Sequence, residues 1–184
     1  MCSTAGWTRG LSDPRTDLEL VAALNRGDYA AFEPLYLRHK EWVYNLATRY
    51  TDHHGALDAV QEAFAYLLAQ FPGFKLTAKM TTYLYPVVKN IALSVKRRNK
   101  RIVLGEVPEQ EEESDDPRLP AGALGEVLAG LPRPQLEVLL MRVVDGMSVE
   151  EVGIALGIAE GTVKSRLHLA LAKLREDPRT SDLL

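Results

Sequence analysis

Residues 131–175 read LPRPQLEVLLMRVVDGMSVEEVGIALGIAEGTVKSRLHLALAKLR, and this stretch decides the fold because it spells two short helices joined by a glycine turn. Ser148 stands where a side-chain oxygen caps a helix, and Glu151, three residues on, completes a capping box. Val152, Ala155 and Leu156 supply the apolar stripe of a supporting helix. Gly157 ends it, since glycine enters the left-handed conformation of a tight exit without steric penalty. Ile158 then turns back toward the core before a second helix opens near Glu160. In that helix Val163, Leu167, Ala170, Leu171 and Leu174 recur at helical spacing and face inward. Thr162, Lys164, Ser165, Arg166, His168 and Lys173 are left on the open side or its flanks. The pattern is a helix-turn-helix whose second helix reads DNA: Lys and Arg neutralise phosphate or reach guanine, while Ser and Thr meet base edges or backbone. One local flaw is that Ala159 or Glu160 occupies the cap position of this helix, forfeiting about 1 kcal/mol.

The competing explanation is an amphipathic hairpin that packs in a bundle and touches no DNA. Charge argues against it, because no acidic residue occurs from Lys164 to Arg175 although the whole chain carries a net charge of −3. That net charge also excludes a protein that coats nucleic acid everywhere; local patches matter more. Lys89, Lys96, Arg97, Arg98, Lys100 and Arg101 form a basic cluster, followed at once by Glu106, Glu109, Glu111, Glu112, Glu113, Asp115 and Asp116. Such a reversal of sign, with Pro108, Pro117 and Pro120 and no apolar period, marks an extended acidic linker.

A chain of 184 residues, 46% hydrophobic, suffices for one large or two small globular domains. Its apolar runs are too short to span a membrane, and the first residues lack the basic start and apolar core of a secretion signal, so a cytoplasmic location is expected. Cys2 is the only cysteine, which rules out an internal disulfide and a cysteine-rich zinc site. The four histidines, His39, His53, His54 and His168, accompany no metalloprotease, phosphate-loop or nucleophile motif. No enzyme and no cofactor or metal is expected.

The N-terminal half is helical throughout, so the fold class is all-α. Asp17 opens a first helix closed by Gly27, and Asp28 caps a longer one through Tyr50, with Pro34 in its first two turns. A third helix runs from about Gly55 to Phe71. Val60, Phe64, Leu67 and Leu68 form its buried stripe, and Asp58, Gln61 and Glu62 a polar group on the exposed side. Taken alone, that group is a solvated face, since two carboxylates and an amide make no catalytic centre without a base, metal or nucleophile. The segment from Phe71 to Met80 reads as a loop, offering Phe74, Lys75 and Lys79 to a nucleic acid. Pro86 predicts that the fourth helix begins only near Thr82. That helix then turns basic, and aromatics beside cations suit single-stranded bases and phosphates as well as they suit a core stripe with a soluble tail.

Both halves together resemble a bacterial RNA polymerase sigma factor of the extracytoplasmic-function (ECF) type, of the sigma-70 family. The C-terminal motif is similar to the sigma domain that reads the minus-thirty-five element, and DAVQEAF with YLYPVVKNIALSVKRRNKR is similar to the second sigma domain; the likeness runs from about Asp17 to Glu176, with no further domain expected after it. The resemblance implies that Asp58, Gln61, Glu62 and Phe64 lie on the helix that docks on core RNA polymerase. It implies that Phe74, Lys75, Lys79 and Met80 surround a flipped base of the minus-ten element, and that Thr81, Thr82, Tyr83, Lys89, Asn90, Lys96 and Arg97 hold the melted non-template strand. Unstacking a base loses a few kcal/mol, which a shaped pocket returns. Thr162, Lys164, Ser165, Arg166, His168 and Lys173 become the minus-thirty-five contacts. Three positions depart from the family's habit: Pro86 where a basic residue is frequent, Tyr83 for Trp, and Leu169 for Arg.

The expected organisation is a flexible tail (1–16), a helical polymerase-docking and minus-ten domain (17–101), an acidic linker (102–122) that in the family threads the RNA channel, a helix-turn-helix domain (123–177) and a short tail (178–184). The partners implied are core polymerase and promoter DNA, with an anti-sigma protein also admitted and no membrane insertion. The rival function is a helix-turn-helix regulator with an N-terminal sensor or dimerisation domain. What separates the two is the exposed Asp58, Gln61 and Glu62 group followed by an aromatic, basic helix, for which a sensor has no need.

Overall fold

The computed structural model describes residues 13–104, 117–119 and 121–180. The chain divides into two compact units, residues 1–113 and 114–184. All regular structure among the described residues is helical. Most of the acidic stretch, the far N-terminal tail, the Arg101 side chain and residues 181–184 lie outside the described part.

In the first unit, α1 (Asp17–Asn25) opens at Asp17 and is capped by Thr16 in a capping box: Thr16 Oγ1 accepts from the Glu19 amide at 3.3 Å, and the Glu19 carboxylate accepts from the Thr16 amide at 2.6 Å. Residues 13–16 are pinned and do not belong to a flexible tail, because the Arg38 guanidinium donates to the carbonyls of Asp13 and Arg15 at 3.2 and 2.8 Å. Asp28 heads only a short 3₁₀ turn (Tyr29–Ala31) without a side-chain cap, and α2 (Phe32–Ala47) follows. Helix α3 (His53–Leu68) begins two residues earlier and ends three earlier than the sequence suggested, since Asp52 caps it by accepting from the Gly55 amide at 2.7 Å.

Helix α4 (Met80–Leu104) also starts early and continues through Pro86. A proline at its seventh residue removes one amide donor, which the burial of Met80, Leu84, Tyr85 and Val88 outweighs. The RIVL run at 101–104 contains no helix breaker, so the helix reaches Leu104 and shortens the expected linker from its N-terminal side. The core of this unit lies where α2, α3 and α4 meet: Leu35, Val43 and Leu46 face Ala56, Ala59, Ala63 and Leu67, with Leu84, Val88 and Val95 completing it. The alanines of α3 allow close approach. Gly55 is the extreme case, since a Cβ there would lie 2.2 Å from Thr51 Oγ1.

The second unit holds α5 (Ala123–Ala129), α6 (Arg133–Val143), α7 (Val149–Leu156) and α8 (Glu160–Glu176). Val127, Leu128, Leu131, Leu136 and Leu139 pack on Ala170 and Leu174, with Leu119, Leu140, Leu167 and Leu171 around them. Leu119 therefore belongs to this core and not to a free linker. At the other end residues 178–180 form a 3₁₀ turn, and Arg179 reaches Glu126 of α5 at 3.0 Å.

Candidate nucleic-acid interface

The α7–α8 turn has the geometry that orients a reader helix. Ser148 Oγ accepts from the Glu151 amide at 3.1 Å, and the Glu151 carboxylate accepts from the Ser148 amide at 2.7 Å. Gly157 closes α7 in the left-handed region at φ 65°, ψ 34°. Gly153 allows the close crossing, because a Cβ on it would lie 2.9 Å from the Ile158 carbonyl oxygen. That carbonyl belongs to the residue whose amide donates back to the Gly153 carbonyl at 3.0 Å. Arg142 of α6 donates to the Met147 carbonyl just before α7. Ala159 caps α8 with no side-chain bond, so the helix rests on packing of Val163, Ala170 and Leu174.

With those three residues inward, Thr162, Lys164, Ser165 and His168 are exposed and Arg166 is half-buried. Lys164 Nζ lies 3.3 Å from the Glu160 carboxylate one turn earlier, an exposed pair that a phosphate can replace at small loss. Leu169 is 50% exposed on the same helix. Lys173 differs from the other five: its ammonium donates to the Gly130 carbonyl, which ties the C-terminal half of α8 to the end of α5.

In the first unit, Asp58, Gln61 and Glu62 follow the i, i+3, i+4 spacing that places side chains on one helix face; Asp58 and Gln61 are exposed and Glu62 is half-exposed. Phe64 does not share that surface. It is buried at 3% exposure, edge-on to Tyr36 and Phe32 with ring centroids 4.7 and 6.2 Å away. Its spacing in the apolar stripe explains this, and it supports the face from behind.

Three of the residues expected at the minus-ten loop and helix start are likewise inside. Phe74 packs edge-on between Tyr83 (4.7 Å) and Phe71 (5.4 Å), Met80 is 1% exposed, and Thr82 is 1% exposed with its hydroxyl making no hydrogen bond. The early start of α4 turns residues read as loop into the first buried turn. Lys75 and Lys79 remain exposed, and Thr81 and Tyr83 half-buried. Burial, together with the neighbouring Tyr66 hydroxyl, raises the pKa of the Tyr83 phenol and keeps it a neutral donor and acceptor.

Along α4, Thr82, Lys89 and Lys96 follow one row of seven-residue spacing at the rim of the core, and Tyr83, Asn90 and Arg97 the next row outward. Lys89 and Lys96 are half-buried, and the Lys89 ammonium sits 5.9 Å from the centroid of the Tyr50 ring. Sequence reading missed two contacts. Arg98 donates to Glu62 at 2.7 Å, and the Asn25 side chain holds the 71–79 loop; nothing local in the sequence marks either.

The family models described as sigma-70 region 2 and sigma-70, region 4 match residues 35–102 and 121–174. The ECF RNA polymerase sigma factor SigM of Mycobacterium tuberculosis is 32% identical over 177 residues, covering 94% of this chain and 89% of that protein. This chain is an ECF sigma factor of the sigma-70 family. The ECF sigma factor SigE of Mycolicibacterium smegmatis is 30% identical over 182 residues, covering 92% of this chain and 70% of its own length. Among solved structures, CnrH in complex with the cytosolic domain of CnrY shares the fold, with TM-score 0.63 and 22% identity over 91% of this chain and 96% of that one.

As a sigma factor the protein binds core RNA polymerase and directs it to promoters; it is not an enzyme. The rival sensor-regulator reading gives way, because its distinguishing half is matched by region 2. No helix among the described residues of the sigma factor is long and apolar enough to cross a membrane.

Proposed function

We propose that the two units divide promoter recognition between duplex and single strand. In this reading residues 123–177 present the N-terminal half of α8 to the major groove of the minus-thirty-five element. Ser165 and Arg166 contribute to base choice; Thr162, Lys164 and His168 contribute to backbone contact. Lys173 acts mainly through its bond to Gly130. Residues 17–101 dock on polymerase through Asp58, Gln61 and Glu62, with Phe64 behind them. The melted minus-ten strand runs along Lys75, Lys79, Thr81, Tyr83, Lys89, Asn90, Lys96 and Arg97, while Phe74, Met80 and Thr82 shape that surface from within.

The observation that carries this reading is α4 itself: one helix joins a buried aromatic cluster at its start to two rows of cationic and polar side chains farther on. Residues 102–122 act in part as an acidic connector, the protein works in the cytoplasm where the chromosome is, and an anti-sigma protein is proposed as a further partner on family grounds. The test is transcription by core polymerase reconstituted with this chain, on a library randomised at both elements. Enrichment of one two-part motif is expected. Enrichment at the upstream element alone, with no preference in the melted region, overturns the division of labour.

A further inference from the structure

Asn25 is the last residue of α1, and its side-chain amide reaches the loop that follows α3 some fifty residues later. Its Oδ1 accepts from the Gly73 amide at 2.6 Å, and its Nδ2 donates to the Phe74 carbonyl at 2.8 Å. One side chain thus holds the donor of one loop residue and the acceptor of the next, using both faces of the amide. Gly73 sits at φ +107°, a conformation that side chains with a Cβ rarely adopt, so the backbone at the clamp is specified twice. The Phe74 ring is anchored independently between Phe71 and Tyr83. Beyond this fixed point come the exposed Lys75, Thr77 and Lys79.

Gly73 is exposed, so water can satisfy its amide if the clamp is removed. The Gly73 bond is therefore not required to avoid a buried orphan; together with the bond to the Phe74 carbonyl, its effect is to select one loop conformation from many. A recognition loop is specific only when its supporting groups hold it within a fraction of an ångström. We infer that Asn25 is a positioning residue for minus-ten recognition: by tying Gly73 and Phe74 to the end of α1, it sets the shape in which residues 75–79 meet an unpaired base of the non-template strand. This rests on the minus-ten reading of the loop proposed above.

The test uses the full chain bound to core polymerase, on fork-junction promoters carrying each of the four bases at each unpaired minus-ten position. Wild type is compared with Asn25→Ala, with Asn25→Asp, and with a chain whose residues 75–79 are replaced by glycine and serine. Asn25→Ala is expected to lower base discrimination about tenfold, the effect of one mismatched base, with polymerase affinity and minus-thirty-five preference unchanged. Hydrogen exchange at the Gly73 amide should quicken in Asn25→Ala. Asn25→Asp keeps the acceptor for Gly73 and loses the donor to Phe74, so it retains the amide protection yet loses discrimination; it carries the comparison if the alanine variant fails to fold.

Wild-type discrimination in both Asn25 variants, with loss in the loop-replaced chain, overturns the role of Asn25 and leaves the loop as reader. Wild-type discrimination in the loop-replaced chain overturns the minus-ten reading of the loop, and the inference with it. A parallel fall in polymerase affinity and minus-thirty-five preference in Asn25→Ala assigns Asn25 to general folding and overturns the positioning role.

Discussion

Arg98 of α4 donates to the Glu62 carboxylate of α3 at 2.7 Å, joining the helix proposed to hold DNA to the face proposed to dock on polymerase. Both side chains are about half exposed, so the pair adds little to stability; in it the Glu62 carboxylate is turned toward α4. The Glu62 charge raises the pKa of the guanidinium further, through the hydrogen bond first and then through the field of Glu62.

Replacing Gln61 and Glu62 together by Ala should weaken binding to core polymerase and leave the thermal unfolding midpoint unchanged, because exposed residues seldom contribute much to folding. Arg98→Ala should weaken polymerase binding less, and Arg98→Lys should restore part of it. A pull-down with undiminished affinity for the double variant would remove this face from the docking assignment.

On the reader helix, Arg166→Ala should relax preference at one minus-thirty-five position by about 1–3 kcal/mol. Lys164→Ala should weaken all promoters alike and flatten the salt dependence, as loss of a phosphate contact does. Promoter-library transcription at two salt concentrations separates these effects. Identical preferences for wild type and Arg166→Ala would take Arg166 out of the reading set.

Gly153→Ala should destabilise the second unit by about 1–3 kcal/mol despite alanine's better helix propensity, because its methyl would meet the Ile158 carbonyl oxygen at 2.9 Å. Ser148→Ala should lose about 1 kcal/mol through the capping box. Hydrogen exchange across α7 and α8 of the full chain measures both. Unchanged protection in Gly153→Ala would mean that the turn yields freely.

Acid should loosen the start of α1. Asp17 is half-buried, which by itself raises its pKa, but hydrogen bonds from His39 (2.8 Å) and Arg38 (2.5 Å) outweigh this and hold the folded value below 3.8. A depressed carboxylate contributes stability that is present above its unfolded pKa and lost as the pH falls through the folded one. Stability should therefore fall below pH 3.8, and Asp17→Asn should be less stable at neutral pH with a shallower acid dependence. Parallel pH profiles of wild type and variant would count against this linkage.

The helix-turn-helix was legible because its signals are local: the Ser148–Glu151 box and Gly157 lie within ten residues and leave few alternatives. The first unit was less so. The starts of α3 and α4 shifted, because Asp52 caps α3 ahead of Gly55 and because Pro86 is tolerated inside α4. Periodicity revealed the exposed Asp58, Gln61 and Glu62 face. It could not reveal that Phe74 and Thr82 point inward, since a loop and a first helical turn carry too few residues to define a face. The Asn25 clamp and the Glu62–Arg98 pair join residues 48 and 36 positions apart, and only tertiary packing creates them.

The unbroken course of α4 has a mechanical consequence. Its 25 residues make a strut about 37 Å long, bedded in the core from Met80 to Val95 and carrying its cations along that stretch and past its end. Because the bedded stretch is continuous, the side chains along it move together when the helix shifts. The base capture and backbone grip proposed for α4 are thus two points on one rigid rod, and the distance between them is set by helical rise, not by loop flexibility.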